Sequence, residues 1–211
     1  MNAYQDLKTK IKNCNKCRLA NTRTNALCGE GHLHAELMLI AQAPGEIEDR
    51  EGRMFIGPSG KVLDELLKTI YIDRKEIYMT NLIKCMLPKN RKPKSDEIAT
   101  CSQYLDREIE FIHPEILAPL GYFATRYLLE KYRIPLPPKP EVREVYGNVL
   151  EVDGKTIIPL QHPAAVLHDI SIENVMVTNY RKMQVLYFKI LLIRGETLVE
   201  SLQKKNAYGT H

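Results

Sequence analysis

Short apolar runs alternate along this chain with segments whose apolar residues recur at helical spacing. The compact apolar runs, which predict buried strands, span residues 36–41, 77–83 and 115–120. The helical patterns that follow them span residues 61–70, 96–112 and 122–132. Because strands that alternate with helices build parallel sheets, the sequence predicts an α/β fold. We expect three layers, with helices on both faces of a central, mostly parallel four-stranded sheet.

The two ends of the chain differ from this middle. The first 34 residues are polar and irregular after a short helical pattern at 4–11. Near the other end, apolar runs at 149–152 and 156–160 flank Asp153-Gly154, which predicts a β-hairpin. Residues 179–202 predict one long helix or two, and the Pro-rich residues 135–140 predict an extended connection.

Three loops follow the carboxyl ends of predicted strands, at residues 42–60, 81–95 and 161–168. They contain breaker sequences such as Pro44-Gly45 and most of the chemically distinctive side chains. In open α/β sheets, ligands bind just beyond the carboxyl ends of the strands. The sequence therefore predicts a binding site where these three loops meet.

Composition sets only broad limits on function. The net charge is +4, which permits nucleic-acid binding without requiring it. No apolar run is long enough to span a membrane, and the first residues lack the apolar core of a secretory signal. We therefore expect a cytoplasmic protein, in which disulfide frameworks are rare and clustered cysteines indicate metal binding.

Four of the five cysteines have a spacing that is typical of metal ligands. Cys14 and Cys17 form a C-x2-C pair, and Cys85 and Cys101 form a wider second pair. Four thiolates suit either a zinc ion or an iron–sulfur cluster, and the wide second spacing favours the cluster modestly. Cys28 is left over, and a lone thiol of this kind is typical of a small core residue.

Three further motifs complete a resemblance to a known family. They are AQAPGEIEDREGRMFIGPSGKVL, TNLIKCMLPKNRKPKSDEIATC and QHPAAVL, which begin at residues 41, 80 and 161. Together with the C-x2-C pair, these motifs resemble those of the family 4 uracil-DNA glycosylases, in the same order. The match spans residues 14–170. The family implies a single domain over residues 1–211, with an N-terminal cluster-binding segment and a C-terminal helical extension.

The resemblance implies a cofactor and a reaction. The cofactor is a [4Fe–4S] cluster with a structural role, held by Cys14, Cys17, Cys85 and Cys101. The reaction is hydrolysis of the bond between uracil and deoxyribose, after the base has been flipped out of the DNA stack. No lysine lies at a motif position as a nucleophile, so we expect a monofunctional enzyme in which water attacks.

The resemblance also assigns roles in a uracil pocket. The Asn81 amide reads uracil O4 and N3–H, a pattern that cytosine reverses. Phe55 stacks on the flipped ring, and His162 donates to uracil O2 as negative charge builds on the leaving base. Glu48 lies near the C5 edge, where it excludes the methyl group of thymine and positions water.

The first motif departs from the family pattern at one important position. The family usually has Glu where this chain has Gln42, which leaves the scheme for positioning water open. Ala43 stands where other uracil-DNA glycosylases carry a water-activating Asp, and family 4 lacks that Asp as well. Asn90, in the second motif, is a candidate to help hold the water.

DNA contacts are predicted from three features. The acid-free run 84–95 predicts a phosphate-binding ridge that includes Lys84, Lys89, Arg91, Lys92 and Lys94. Ser59, at a helix start, can offer its backbone N–H to a phosphate. After His162-Pro163, Val166 and Leu167 are expected to wedge into the gap that the flipped base leaves.

Several alternatives remain open from the sequence. A related branch crosslinks to abasic DNA through a histidine before the last cysteine, but no histidine lies between His34 and His113. A glycosylase for hypoxanthine or xanthine, a non-catalytic cluster-bearing DNA-binding module and a zinc-stabilised α/β protein are the remaining candidates. For the preferred reading we expect a nucleoid-associated monomer that acts on uracil-containing DNA, with a possible replication or repair partner at the C-terminal tail.

Overall fold

A six-stranded sheet forms the centre of the protein in the computed structural model, which describes residues 3–138 and 143–195. The strands run in the spatial order β1-β3-β2-β4-β6-β5. Their bounds are β1 Glu30–Gly31, β2 Leu37–Ala41, β3 Tyr78–Asn81, β4 Ile116–Pro119, β5 Leu150–Val152 and β6 Lys155–Ile157. The hairpin predicted around Asp153-Gly154 is present as β5 and β6.

The four inner strands, β3, β2, β4 and β6, are parallel to one another. This confirms the prediction of a mostly parallel α/β sheet, but the expected number of four strands was too low. Antiparallel strands β1 and β5 are added at the two edges. Strand β1 is only two residues long, so it contains no apolar run that could have indicated it.

Helices cover both faces of the sheet and complete the three predicted layers. Their bounds are α1 Ala3–Lys12, α2 Glu46–Glu51, α3 Pro58–Thr69, α4 Ser95–Ile112, α5 Tyr122–Lys131 and α6 Glu173–Ile193. Successive residues of β2 face opposite layers: Ile40 packs in a core with α1, α4 and α5, whereas Leu39 packs in a core with α3 and α6. Every residue of β2 is buried, as expected for a parallel strand that is covered on both faces.

Two helical boundaries differ from the sequence-based expectation. Helix α2 lies within the segment 42–60 that was expected to be loop, because its six residues, EIEDRE, carry no apolar periodicity. It ends at Glu51, and the following Gly52, whose φ of 69° is left-handed, closes the helix. Helix α6 begins at Glu173, before the expected start at 179. The chain beyond residue 195, which includes the predicted partner tail, lies outside the described residues, as does part of the Pro-rich segment.

The N-terminal segment is fastened to the sheet and to the first loop by buried polar contacts. The hydroxyls of Tyr4 and Tyr78 are 2.9 Å apart. The Asp49 carboxylate accepts hydrogen bonds from the backbone N–H groups of Thr24 and Asn25, at 2.8 and 3.2 Å. No helix in the described ranges is long and apolar enough to cross a membrane.

The parallel ladder continues past the strands and draws their loops together. The N–H of Leu82 donates to the Ala41 carbonyl at 2.8 Å, and the N–H of Ile83 donates to the Gln42 carbonyl at 2.9 Å. The N–H of Leu120 donates to the Ile40 carbonyl at 2.8 Å in the same way. The loops that follow β2 and β3 therefore leave the sheet side by side.

Candidate functional site

A cavity of about 580 Å³ opens at the carboxyl ends of the parallel strands. This volume is within the range of small-ligand pockets. The structure brings together around it every residue expected in the substrate pocket, namely Gln42, Ala43, Glu48, Phe55, Asn81, Asn90 and His162. Two of the expected DNA contacts, Ser59 and Leu167, also border the cavity.

Asn81 is the last residue of β3, and its side chain reaches the cavity from the sheet. The residue is only 3% exposed, and its Nδ2 donates to the Met54 sulfur at 3.2 Å. A thioether is a weak acceptor, so this contact orients the amide and is easily exchanged for a stronger one. The amide thus offers both a donor and an acceptor to a molecule in the cavity.

Glu48 is buried in α2 and supports the opposite wall of the cavity. Its Oε1 accepts the backbone N–H groups of Ile56 and Gly57, at 3.0 and 2.8 Å. The carboxylate also lies so close to Gly45 that a Cβ there would meet its Oε2 at 2.6 Å. Glu48 is therefore not part of a solvated acidic face; it fixes the loop that carries Phe55.

Phe55 occupies a constrained position between α2 and α3. It is 6% exposed, and its φ of 50° is left-handed, which is uncommon for a large side chain. Gly60 makes this turn possible, because a Cβ at that position would lie 1.9 Å from the Phe55 carbonyl oxygen. The ring faces His162, with centroids 6.4 Å apart and planes inclined at 29°. An aromatic face and an imidazole therefore border the same part of the cavity.

The protonation of His162 follows from its surroundings. Burial lowers the pKa of this imidazole to about 4, although the negative charge of Glu48 acts in the opposite direction. The backbone N–H of Ala164 donates to Nδ1 at 3.1 Å, so Nδ1 is the acceptor nitrogen. The neutral ring therefore carries its proton on Nε2, which can donate to a ligand.

Three pocket residues have a more open position. Gln42 and Ala43 are half-buried, and the backbone of Gln42 is held by the N–H of Ile83. Asn90 is exposed at the end of a short 3-10 turn, Pro88–Asn90, and has a left-handed φ of 53°. Asparagine tolerates this conformation better than most residues do. Gln42, Ala43 and Asn90 therefore border the cavity where it is more exposed than at Asn81 or Phe55.

The predicted phosphate-binding ridge is only partly available. Lys84 does not belong to it: the residue is 2% exposed and pairs with buried Glu108. Arg91 is half-buried and donates to both carboxylate oxygens of Glu97, at 2.8 and 2.6 Å. Lys89, Lys92 and Lys94 are exposed, although none of them lines the cavity. A run of basic letters does not show which side chains face inward.

The two residues of the predicted wedge, Val166 and Leu167, differ in their exposure. Val166 is half-buried and packs against the core that contains α3 and α6, so it does not project as expected. Leu167 is 51% exposed at the rim of the cavity. Ile170, which the sequence analysis did not single out, is 68% exposed beyond it.

Other lining residues carry no sequence signal. Met54 and Leu87 are buried and close the cavity beside Asn81 and Asn90, and His168 lies at its rim. Their participation depends on how the loops fold. The sequence indicated that their loops meet only through the neighbouring motif residues.

The four predicted ligand cysteines border a second, small cavity between the N-terminal segment and α4. Cys85 and Cys101 are buried, and Cys14 and Cys17 are half-buried. Arg23 contacts this group directly: its Nη1 donates to the Cys85 sulfur at 3.1 Å, and its Nη2 donates to the Cys14 carbonyl at 2.6 Å. Cys28 lies in the core, apart from this cavity.

The chemistry of this donor set fits an iron–sulfur cluster. Among the described residues, no three His, Cys, Asp or Glu side chains converge closely enough to hold a single metal ion. A cube binds each thiolate at a different corner, so its ligands lie farther apart than the ligands of one ion. Backbone N–H and arginine donors to the sulfurs also suit an anionic cluster, and the N–H of Lys84 donates to the Cys101 sulfur at 3.2 Å.

Comparison with known proteins matches the chain to one family. Residues 28–180 match the family model of the uracil DNA glycosylase superfamily. A type-4 uracil-DNA glycosylase of Sulfurisphaera tokodaii is 36% identical, over 87% of this chain and 84% of the relative. The enzyme of the same name from Saccharolobus solfataricus is 40% identical, over 83% and 82% of the two chains. That of Archaeoglobus fulgidus is 35% identical, over 87% and 92%.

The pH dependence of His162 provides a direct test of the site's electrostatics. We expect its imidazole to stay neutral from pH 8 to pH 5 and to take up a proton only near pH 4. An unfolded histidine has a pKa of about 6.5, so the unfolded chain binds a proton first as the pH falls from about 6.5 to about 4. His162 therefore lowers the free energy of unfolding as the pH falls through that window.

Imidazole NMR titration measures this pKa, with His162→Gln used to assign the resonance. In Glu48→Gln the pKa should fall further, because the charge that favours the imidazolium is gone. A midpoint for His162 near pH 6.5 contradicts the description of the site.

Proposed function

This chain belongs to the type-4 uracil-DNA glycosylases of the uracil DNA glycosylase superfamily, and we propose that it excises uracil by direct attack of water in the cavity around Asn81, Phe55 and His162. As a member of this family it is a DNA-repair hydrolase that acts on an N-glycosidic bond. The observation that supports the mechanism best is the convergence of an amide, an aromatic face and an imidazole on one cavity.

Asn81 selects the base. Uracil presents an acceptor at O4 and a donor at N3, and a single asparagine amide complements both. Cytosine presents the reverse pattern, so it would leave two buried polar groups unpaired. The weak contact with the Met54 sulfur is replaced when uracil enters.

His162 stabilises the leaving group. As the bond between C1′ and N1 breaks, its electron pair stays with uracil, and the negative charge spreads onto O2 and O4. A neutral imidazole with its proton on Nε2 can donate a hydrogen bond to O2 without giving up that proton. The short turn Pro163–Ala165, against which α3 packs, keeps the ring in place.

Water completes the reaction. Its oxygen bonds to C1′, one of its protons passes to solvent water, and uracil leaves as an anion that later takes up a proton from solvent. Gln42 and Asn90, which line the open side of the cavity, can orient this water by hydrogen bonds. None of the described residues that line the cavity is a lysine, which supports a monofunctional enzyme.

Glu48 and Phe55 define the shape of the pocket. The carboxylate is fixed by two backbone N–H groups, so the loop between α2 and α3 stays in one conformation. Phe55 then offers a ring face on which a flipped pyrimidine can stack. The buried Glu48 carboxylate is the group that we expect to exclude the methyl group of thymine.

Residues around the opening of the cavity are the proposed DNA contacts. Lys89 and Lys92 are exposed on the loop that also carries Asn90, so they can contact phosphates while uracil is in the cavity. The half-buried Ser59 lies in the first turn of α3, where backbone N–H groups favour an anion. Leu167 is the better-placed wedge, because Val166 is occupied with the core.

The cluster is the proposed resident cofactor, with Cys14, Cys17, Cys85 and Cys101 as its ligands. When bound, it supplies a structural cross-link between the N-terminal segment and α4. Arg23 offsets its negative charge and fastens the backbone at Cys14.

We further propose that the protein acts as a monomer. Association with the nucleoid follows if DNA is the substrate. The alternative substrates are hypoxanthine and xanthine, and the alternative function, based on Gln42 in place of the family's Glu, is that of a non-catalytic DNA-binding module.

Incubation with oligonucleotides tests the proposed function. The substrates contain uracil, hypoxanthine, or thymine in a mismatch, and alkaline cleavage reports abasic sites. We expect cleavage of uracil DNA and a fall of about 10³-fold in Asn81→Ala, because the pyrimidine loses its specific hydrogen bonds. Asn148→Ala removes an exposed amide away from the cavity and should keep the activity of the unmodified chain.

DNA binding without alkali-sensitive sites would favour the non-catalytic alternative. Release of hypoxanthine at a rate equal to that of uracil would contradict the role assigned to Asn81.

Iron and acid-labile sulfide analysis tests the cofactor. We expect four of each per chain, strongly reduced in Cys101→Ala and unchanged in the matched variant Cys28→Ala, because Cys28 lies outside the ligand group. The Cys101 variant should also lose thermal stability and DNA affinity. Stoichiometric zinc in the chain as isolated would contradict the assignment.

A further inference from the structure

A buried ion pair lies directly behind the carboxyl end of β3. Lys84 is 2% exposed and Glu108 is fully buried, and the Lys84 ammonium contacts Glu108 Oε2. Lysine and glutamate are almost never fully buried unless they are paired. A pair of this kind is costly to desolvate, and it does not by itself indicate a gain in stability.

The Lys84 ammonium has three donors, and each has an acceptor. Besides Glu108, it donates to Thr80 Oγ1 at 2.7 Å and to the backbone carbonyl of Asn81 at 2.8 Å. The last contact joins the ammonium to the residue whose side chain is proposed to read uracil.

The Asn81 carbonyl needs such a donor because of the sheet topology. The next N–H along the chain, that of Leu82, faces β2, so the Asn81 carbonyl faces the opposite side of β3. Strand β1 lies on that side, but it pairs only with Tyr78 and Met79. Because β1 does not extend as far as Asn81, the Lys84 ammonium supplies the hydrogen-bond donor that a neighbouring strand would otherwise provide.

Glu108 is itself held rigidly. Its Oε1 accepts from the Gly29 N–H at 2.9 Å and from the Tyr78 hydroxyl at 3.2 Å, and its Oε2 accepts from the Thr80 hydroxyl at 2.6 Å. Because α4 carries Glu108, the position of the ammonium is set by the helix and by β3 together. Such a fully satisfied buried network restricts its members to one arrangement.

We propose that Lys84 is a positioning residue for base recognition, which fixes the main chain of Asn81 so that its amide meets uracil in one orientation, with Glu108 and Thr80 holding the ammonium in place. The inference rests on the proposed role of Asn81. It accounts for a buried lysine where neither DNA nor solvent can reach the side chain.

The test separates the contact with Asn81 from the buried charge. Lys84→Met/Glu108→Gln removes the ammonium without leaving an unpaired carboxylate, whereas Glu108→Gln alone keeps both the ammonium and its contact with Asn81. We expect the double variant to lose about 10- to 100-fold in kcat, the effect of one hydrogen bond to a charged group. The KM for uracil DNA and the iron content should be unchanged, and affinity for free uracil and discrimination against cytosine should fall. Glu108→Gln leaves the buried ammonium without its counter-charge, so it should lower thermal stability, but kcat should fall by a smaller factor than in the double variant because the contact with Asn81 is kept.

A comparison of the double substitution in the unmodified chain and in an Asn81→Ala background tests the proposal more sharply. If Lys84 acts through Asn81, the double substitution should have no further effect on the residual rate in an Asn81→Ala background. An equal loss in both backgrounds, or a double variant with full kcat and full discrimination, overturns the proposal. An unmodified chain that releases no uracil would instead refute the proposed function.

Thr80→Val keeps the proposal testable if the double variant fails to fold. It removes one partner of the ammonium and leaves the charge pair intact, so free uracil should bind more weakly and kcat should fall by a smaller factor. Unchanged affinity for free uracil in a folded Thr80→Val variant overturns the proposal.

Discussion

The parallel alignment of β2 with β3 is the constraint on which the site depends. The ladder runs past both strands, so the Gln42 carbonyl is hydrogen-bonded to the N–H of Ile83. Residues 42 and 81, which are far apart in sequence, therefore start their loops from adjacent positions. The side of the cavity that contains Gln42 and the side that contains Asn81 are set by the same few backbone hydrogen bonds.

Buried polar groups then convert this alignment into a fixed shape. Glu48 closes the loop that carries Phe55, and Ala164 sets which nitrogen of His162 is protonated. A preorganised donor contributes to catalysis because it needs no reorganisation while charge develops on the leaving base. Lys84 has the corresponding role for Asn81 on the sheet side. The pocket thus depends on several backbone contacts that lie outside the reacting atoms.

The sequence predicted the layers, because they follow from local patterns, whereas the residues expected around the pocket came from the resemblance to family motifs. Apolar runs predicted the inner strands, and the motifs placed Asn81 and His162 at strand ends that the fold brings together. It failed where only tertiary contacts decide the outcome. Strand β1 has no periodicity, and the basic run 84–95 gave no sign that Lys84 turns inward to a glutamate 24 residues later in the chain.

The central claim is that one pyrimidine contacts the amide, the imidazole and the aromatic ring at the same time. A crystal structure of the chain with abasic DNA and free uracil tests it directly. The account predicts that the Asn81 amide contacts O4 and N3, that His162 Nε2 lies within hydrogen-bonding distance of O2, and that Phe55 stacks on the ring. Uracil bound elsewhere, or His162 Nε2 turned away from O2, would contradict it.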